Sequence, residues 1–167
     1  MKKIHRIVAE QKDIAGFLNA CSLVIMEHCG GASGPIWGSA FRAAARSAKG
    51  KETLSVGDFA ELMQAAVSGI QATGERSFGR GAVVGDKTLI DTLVPCADAW
   101  TESAKKNVSF KDAFDAGAEA AMAGAKSTEK IAARMGRAGT VGERSIGWAD
   151  AGAYGLAVIF GDVKNGL

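Results

Sequence analysis

Apolar positions along the chain recur every three to four residues. Over 14–28, Ile14, Phe17, Leu18, Cys21, Val24 and Ile25 share one face at helical spacing. Gly30-Gly31 ends that run. Pro35 suits the first turn of a second helix, which the pattern carries to about Ser47. A Lys49–Glu52 linker follows. Ser55 with Asp58 forms a capping signature before an amphipathic run from Phe59 to about Thr73. Gly74–Gly85 is glycine-rich. The helical pattern resumes from Asp86 to Lys105, where Pro95 predicts a kink or break at Val94. Ser109 and Asp112 repeat the capping signature, and an Ala-rich helix is predicted from Ala113 to about Met135. Within it, AGAEAAMAGA puts small residues where two helices can approach closely. Residues 136–149 read as irregular, and Ala151 to about Val163 as a last helix. Alternating patterns are nearly absent; only Ala82–Val84 could pass for a strand, and it is too short to matter. The expectation is an all-α single domain of about six helices, without an internal repeat.

Composition narrows the class. A chain of 167 residues, 47% hydrophobic and 23% charged, is long enough for one domain with a real core. The net charge of +2 and the lack of a basic stripe with interleaved aromatics argue against nucleic acid as a partner. No apolar run approaches the about 18 residues of a membrane span, and no apolar segment follows the basic start as in a signal peptide. Cys21, Cys29 and Cys96 are widely spaced and read as small buried hydrophobes in a reduced, cytoplasmic setting. His5 and His28 lack ligand spacing, so no metal site is expected from them.

Of 22 glycines, 14 fall within 30–38, 74–85 and 136–155. Two segments, GGASGPIWG (30–38) and GERSIGWADAG (142–152), lie at expected helix ends. Glycine permits positive φ and a close backbone approach, and a helix N-terminus behind such a turn offers free N–H groups to a phosphate. Ordinary helix caps explain the same placement. GAVVGDKT (81–88) is not a P-loop, because Asp86 separates Gly85 from Lys87 and no strand precedes it. Asp86 reads instead as an N-cap, with Lys87 and Thr88 in the first turn. GERSIG lacks the Gly-x-Ser-x-Gly order of a hydrolase elbow. Arg137 suits either a phosphate or solvent. Asp150 suits a helix cap, a ribose contact, or both, and Glu143-Arg144 suits an ion pair.

Taken in order, GGASGP, GDKT, GRA, GERSIG and Asp150-x-Gly152 resemble the nucleotide-binding subunit of dihydroxyacetone kinases, which also forms the C-terminal half of single-chain, ATP-dependent kinases. The resemblance covers nearly the whole chain. It implies an antiparallel barrel of eight helices, about six of them present here, with nucleotide held by the loops at one end. It further implies ADP or ATP as cofactor and a partner subunit or domain that holds dihydroxyacetone covalently on its own histidine. In the multi-subunit form a phosphotransferase-system protein rephosphorylates the ADP. By position, Ala32 and Ser33 lie along the phosphates, and Gly81 and Leu89 line the pocket. Arg137 contacts the nucleotide near the phosphates, and Asp150, Ala151 and Gly152 form another wall. Ala151 stands where the family usually has proline, which leaves that turn less restrained. The family's GDxDHG loop, whose aspartates bind two magnesium ions, has no counterpart here, so the Mg²⁺ ligands are expected outside this chain. Loss of the opening helices exposes an apolar flank and predicts a homo-oligomer. The alternative is a non-catalytic interaction module that keeps only a binding surface, for the partner subunit or a transcription regulator.

Overall fold

The computed structural model describes residues 13–166, so His5 and the basic start lie outside it. The described residues are helical without a strand, as the periodicity predicts. The chain divides into two units, Met1–Gly81 and Ala82–Leu167.

The first unit holds α1 (Ile14–His28), α2 (Ser33–Ser47) and α3 (Val56–Phe78). Asp13 caps α1 by accepting from the Gly16 N–H at 2.6 Å. Ser55 and Asp58 form the expected reciprocal box at the start of α3. Lys51 also donates to Asp58, and these partners hold its carboxyl far below the usual carboxylate range. The first two helices pack antiparallel. The Ser22 hydroxyl donates to the Gly38 carbonyl at 2.7 Å in the buried interface, and the Ile14 N–H donates to Lys51 beyond the end of α2. Against α3 the backbone also comes close, since a Cβ on Gly69 would lie 2.7 Å from the Ser39 carbonyl oxygen.

The second unit holds α4 (Ile90–Lys105), α5 (Phe110–Ser127) and α6 (Ala151–Asn165). Short helical turns at Thr128–Lys130, Gly136–Gly139 and Gly142–Ser145 punctuate the connection between the last two. The small residues of α5 have the predicted role. A Cβ on Gly117 would meet Trp100 Nε1 at 2.6 Å, and one on Gly124 would collide with the Asp91 carbonyl. Trp100 is 1% exposed and meets the rings of Phe110 and Phe114 edge-on at 5.1 and 5.7 Å. Lys164 on α6 pairs with Asp115 and Glu119 on α5.

Four expectations are corrected. The third helix runs past Gly74 with its last turn exposed, and it stops at Gly79, which takes the left-handed region (φ 78°) and donates its N–H to the Glu75 carbonyl. No break occurs at Val94: Pro95 removes one intrahelical donor, while buried Leu93, Cys96, Ala97 and Trp100 hold both sides of it in the core. The Ala-rich helix ends at Ser127 rather than near Met135, where buried Thr128 turns the chain. Of the cysteines, Cys96 is buried, and burial pushes its thiol up to about 12, but Cys29 is exposed and Cys21 half-buried.

Helix contact through glycine gives a paired prediction. Gly124→Ala should lower stability by about 1–3 kcal/mol through overpacking. Gly161→Ala in α6, where an added Cβ meets nothing within 4 Å, should raise it by about 0.5–1 kcal/mol. Urea unfolding with an unchanged m-value checks both.

Candidate functional site

In the second unit the residues before α4 form a turn held by buried polar groups. Asp86 and Lys87 are each 3% exposed and Asp91 is 1% exposed. Asp91, in the first turn of α4, reaches back over the chain. Its Oδ1 accepts from the Gly85 N–H at 2.6 Å and its Oδ2 from the Thr88 N–H at 2.7 Å. Asp86 accepts from the Val83 N–H at 2.9 Å, and its carbonyl accepts from the Arg134 N–H at 3.1 Å. Two residues of this turn adopt positive φ, Gly85 at 100° and Lys87 at 61°. For lysine that conformation is disfavoured and persists only under external restraint. The restraint is visible: Lys87 Nζ donates to the carbonyls of Ile131 at 3.0 Å and Ser145 at 2.6 Å.

The segment that receives Lys87 is fixed in turn. Ser145 Oγ accepts from the Ala133 N–H and donates to the Gly142 carbonyl. Thr128 Oγ1, fully buried, accepts from the Asp150 N–H at 2.9 Å. Asp150 Oδ2 accepts from the Ala153 N–H at 2.8 Å and caps α6. Thr92, also fully buried, donates to the Ala153 carbonyl at 3.0 Å. The 82–89 turn, the 128–147 segment and the start of α6 thus form one hydrogen-bonded body.

This arrangement brings together three of the residues singled out from the sequence. A Cβ on Gly152 would lie 3.1 Å from Asp150 Oδ2 and 3.6 Å from Leu89 Cβ. Ala151 is exposed as the first residue of α6. Arg137 lies on the Gly136–Gly139 turn, and its side chain is outside the described residues. Asp86 is not the N-cap of α4, and Lys87 and Thr88 are not in its first turn. That helix starts at Ile90 behind Leu89, because the left-handed Lys87 and the backward reach of Asp91 keep the preceding residues in a turn.

In the first unit Gly31 takes φ 63° and leads into α2. Ala32 is its N-cap, and Ala32 and Ser33 are exposed. Gly34 is buried against the Cys29 carbonyl, where a Cβ would come within 2.5 Å, so the loop folds tightly onto the end of α1. Gly81 sits against α3, with a Cβ there 3.0 Å from the Gln71 carbonyl oxygen. Among the six long helices, α2 and α4 are the two whose N-cap makes no side-chain hydrogen bond; Asp13, Ser55, Ser109 and Asp150 cap the others. Both uncapped starts follow glycine-rich segments singled out from the sequence, but the first N–H groups of α4 are taken up by Thr88 and Leu89, so only the exposed start of α2 presents N–H groups suited to an anion.

The carboxylates near these segments do not suit a divalent cation. Among the described residues no three His, Cys, Asp or Glu side chains gather as a metal centre requires. Asp86, Asp91 and Asp150 accept instead from backbone N–H groups.

The sequence assigns no structural role to Asp91, Thr92, Thr128 or Ser145. Their signal is faint: Asp91 stands three residues after Thr88, and Thr128 is one threonine after an alanine-rich run. The geometry assigns Lys87 a holding role. Lys87→Met should therefore lower stability by about 1–3 kcal/mol, because two part-buried carbonyls lose their donor. A thermal midpoint equal to that of the parent would contradict this role.

Comparison with known proteins adds the family. The DAK2 domain profile matches residues 1–165. Over 142 residues the chain is 34% identical to the PEP-dependent dihydroxyacetone kinase, ADP-binding subunit DhaL, of Escherichia coli (strain K12), spanning 85% of this chain and 65% of that protein. It is 32% identical over 152 residues to the PEP-dependent dihydroxyacetone kinase 2, ADP-binding subunit DhaL, of Listeria innocua, spanning 91% and 67%. It is also 34% identical over 138 residues to the L-erythrulose kinase of Pectobacterium atrosepticum, of which it covers 22%. The chain thus spans about two thirds of the length of the DhaL relatives. With the helical fold and the ordered glycine motifs, a match of this extent makes the chain a member of the DAK2 domain family.

Proposed function

We propose that the chain is the nucleotide-binding component of a dihydroxyacetone kinase-type phosphotransferase. It binds ADP or ATP and works in the cytoplasm with a partner subunit or domain that holds the ketose. The observation that carries the proposal is the match to ADP-binding DhaL subunits over most of the chain. Two features support it. The exposed, uncapped start of α2 at Ala32-Ser33 follows a left-handed Gly31, and the Leu89, Asp150 and Gly152 wall is pinned by buried hydrogen bonds.

In this reading Ala32 and Ser33 follow the phosphates through their backbone N–H groups. Leu89 with Gly81 lines the nucleotide pocket. Ala151 and Gly152 continue the wall beside Asp150, and Arg137 adds a guanidinium near the phosphates. Magnesium, which phosphoryl transfer ordinarily uses to neutralise phosphate oxygens, finds no fitting ligand set among the described residues, and no step is routed through it. The phosphoryl donor in this reading is ATP, or a phosphotransferase-system protein acting on bound ADP.

Exposed apolar side chains support self-association. On α6, Tyr154, Val158, Ile159 and Val163 are exposed, and on α1 so are Leu23 and Met26. The opposed reading is an interaction module that keeps a surface for the partner subunit or a transcription regulator without binding nucleotide.

Isothermal titration of ADP into the full chain, with and without Mg²⁺, separates the two. Saturable binding is expected, weakened tenfold or more by Gly31→Val, because a β-branched residue resists positive φ. No binding in either condition would overturn the nucleotide reading and leave the interaction module. Light scattering at micromolar concentration should give a mass above the monomer; a monomer would refute self-association.

A further inference from the structure

Beyond the exposed start of α2, that helix and α3 border an open groove of about 410 Å³, to which Met26 of α1 also contributes. Three arginines line it, Arg42 and Arg46 from α2 and Arg76 from α3, and no carboxylate does. Arg42 and Arg46 are four residues apart, so they stand on one helix face about 5–6 Å from each other. Arg76 faces them from the neighbouring helix. Its Nη2 donates to Thr73 Oγ1 at 3.0 Å, which orients the guanidinium fork. Ser39 and Ser77 add hydroxyl groups to the lining. The trough exists because its floor is built from small residues. Gly69 brings α3 against the Ser39 carbonyl and Ala43, leaving the long arginine side chains as the walls.

Three like charges along one groove repel each other, and among the described residues none of the three makes an ion pair with a carboxylate. A solvated arginine face normally alternates with acids on the same helix, yet α2 contains no acidic residue at all. An anion placed between the forks would neutralise the cluster and accept paired N–H donors, the geometry in which guanidinium binds phosphate best. The volume falls within the range of small-molecule sites, about 300–1,000 Å³.

We infer that the α2–α3 groove is a binding site for a small phosphate-bearing anion, held by Arg42, Arg46 and Arg76. It is independent of the nucleotide reading, since it uses none of the residues assigned to the nucleotide.

The probe is inorganic pyrophosphate, titrated calorimetrically into the full chain at low ionic strength without divalent cations. Saturable binding is expected, at least tenfold weaker in the R42Q/R46Q/R76Q variant. The parent should gain thermal stability with pyrophosphate, and the variant should not. A charge-matched control, K105Q/K106Q/K111Q, should bind within twofold of the parent. Gly31→Val should also keep the site, because it alters only the loop before α2. The inference is overturned if pyrophosphate does not bind, if the arginine variant binds as the parent does, or if the lysine control loses as much affinity. Loss of binding in Gly31→Val alone would likewise overturn it, by moving the site to the start of α2.

Discussion

The buried carboxylate of Asp91 is the group on which the second unit's loop architecture depends. A charge in the core is tolerated only when its oxygens are satisfied, and both oxygens here accept from backbone N–H groups of the preceding turn. Those bonds hold Gly85 and Thr88 close to α4 and force the residues between them into a turn. Lys87 then lies where its amine reaches Ile131 and Ser145. The same short stretch of α4 receives Gly124 of α5 against the Asp91 carbonyl, so helix packing and loop geometry share one anchor.

Hydroxyl groups extend the anchor. Thr92 ties α4 to the first turn of α6, and Thr128 ties the end of α5 to the residue that caps α6. Each is fully buried and hydrogen-bonded, so replacing Thr128 would leave the Asp150 N–H without its acceptor, and replacing Thr92 would remove the bond that joins α4 to the Ala153 carbonyl. The consequence for function is positional. Leu89 is far along the chain from Asp150 and Gly152, yet they are held as one wall by the bonds of Thr92 and Thr128 and by the Asp150 cap.

The first unit uses a different device. Glycines at 34, 38 and 69 allow backbones to approach where any Cβ would collide, and the helices interlock without large side chains. This packing leaves the N-terminus of α2 exposed at one end and the arginines of α2 and α3 along a groove. Basic side chains in that groove cannot be buried without partners, so they remain at its rim.

Helix content was legible because period and caps are local. Ser55 with Asp58, Ser109 and Asp150 each act on a backbone group three residues away, and the small-residue pattern of 116–125 marks the close contact that Gly117 and Gly124 make. The glycine motifs and their order were likewise sufficient to indicate the family. Three things were settled only by tertiary structure: where the fourth helix begins, whether Pro95 breaks it, and what Asp86, Lys87 and Asp91 do. The start of the fourth helix turns on Asp91 accepting from Gly85 and Thr88, whereas Lys87 depends on Ile131 and Ser145 and Pro95 on the core around Trp100, partners that no local propensity encodes. Local chemistry determined the elements and their caps, while the burial of Lys87, whose amine is satisfied by the distant carbonyls of Ile131 and Ser145, decided how the loop before the fourth helix is tied down.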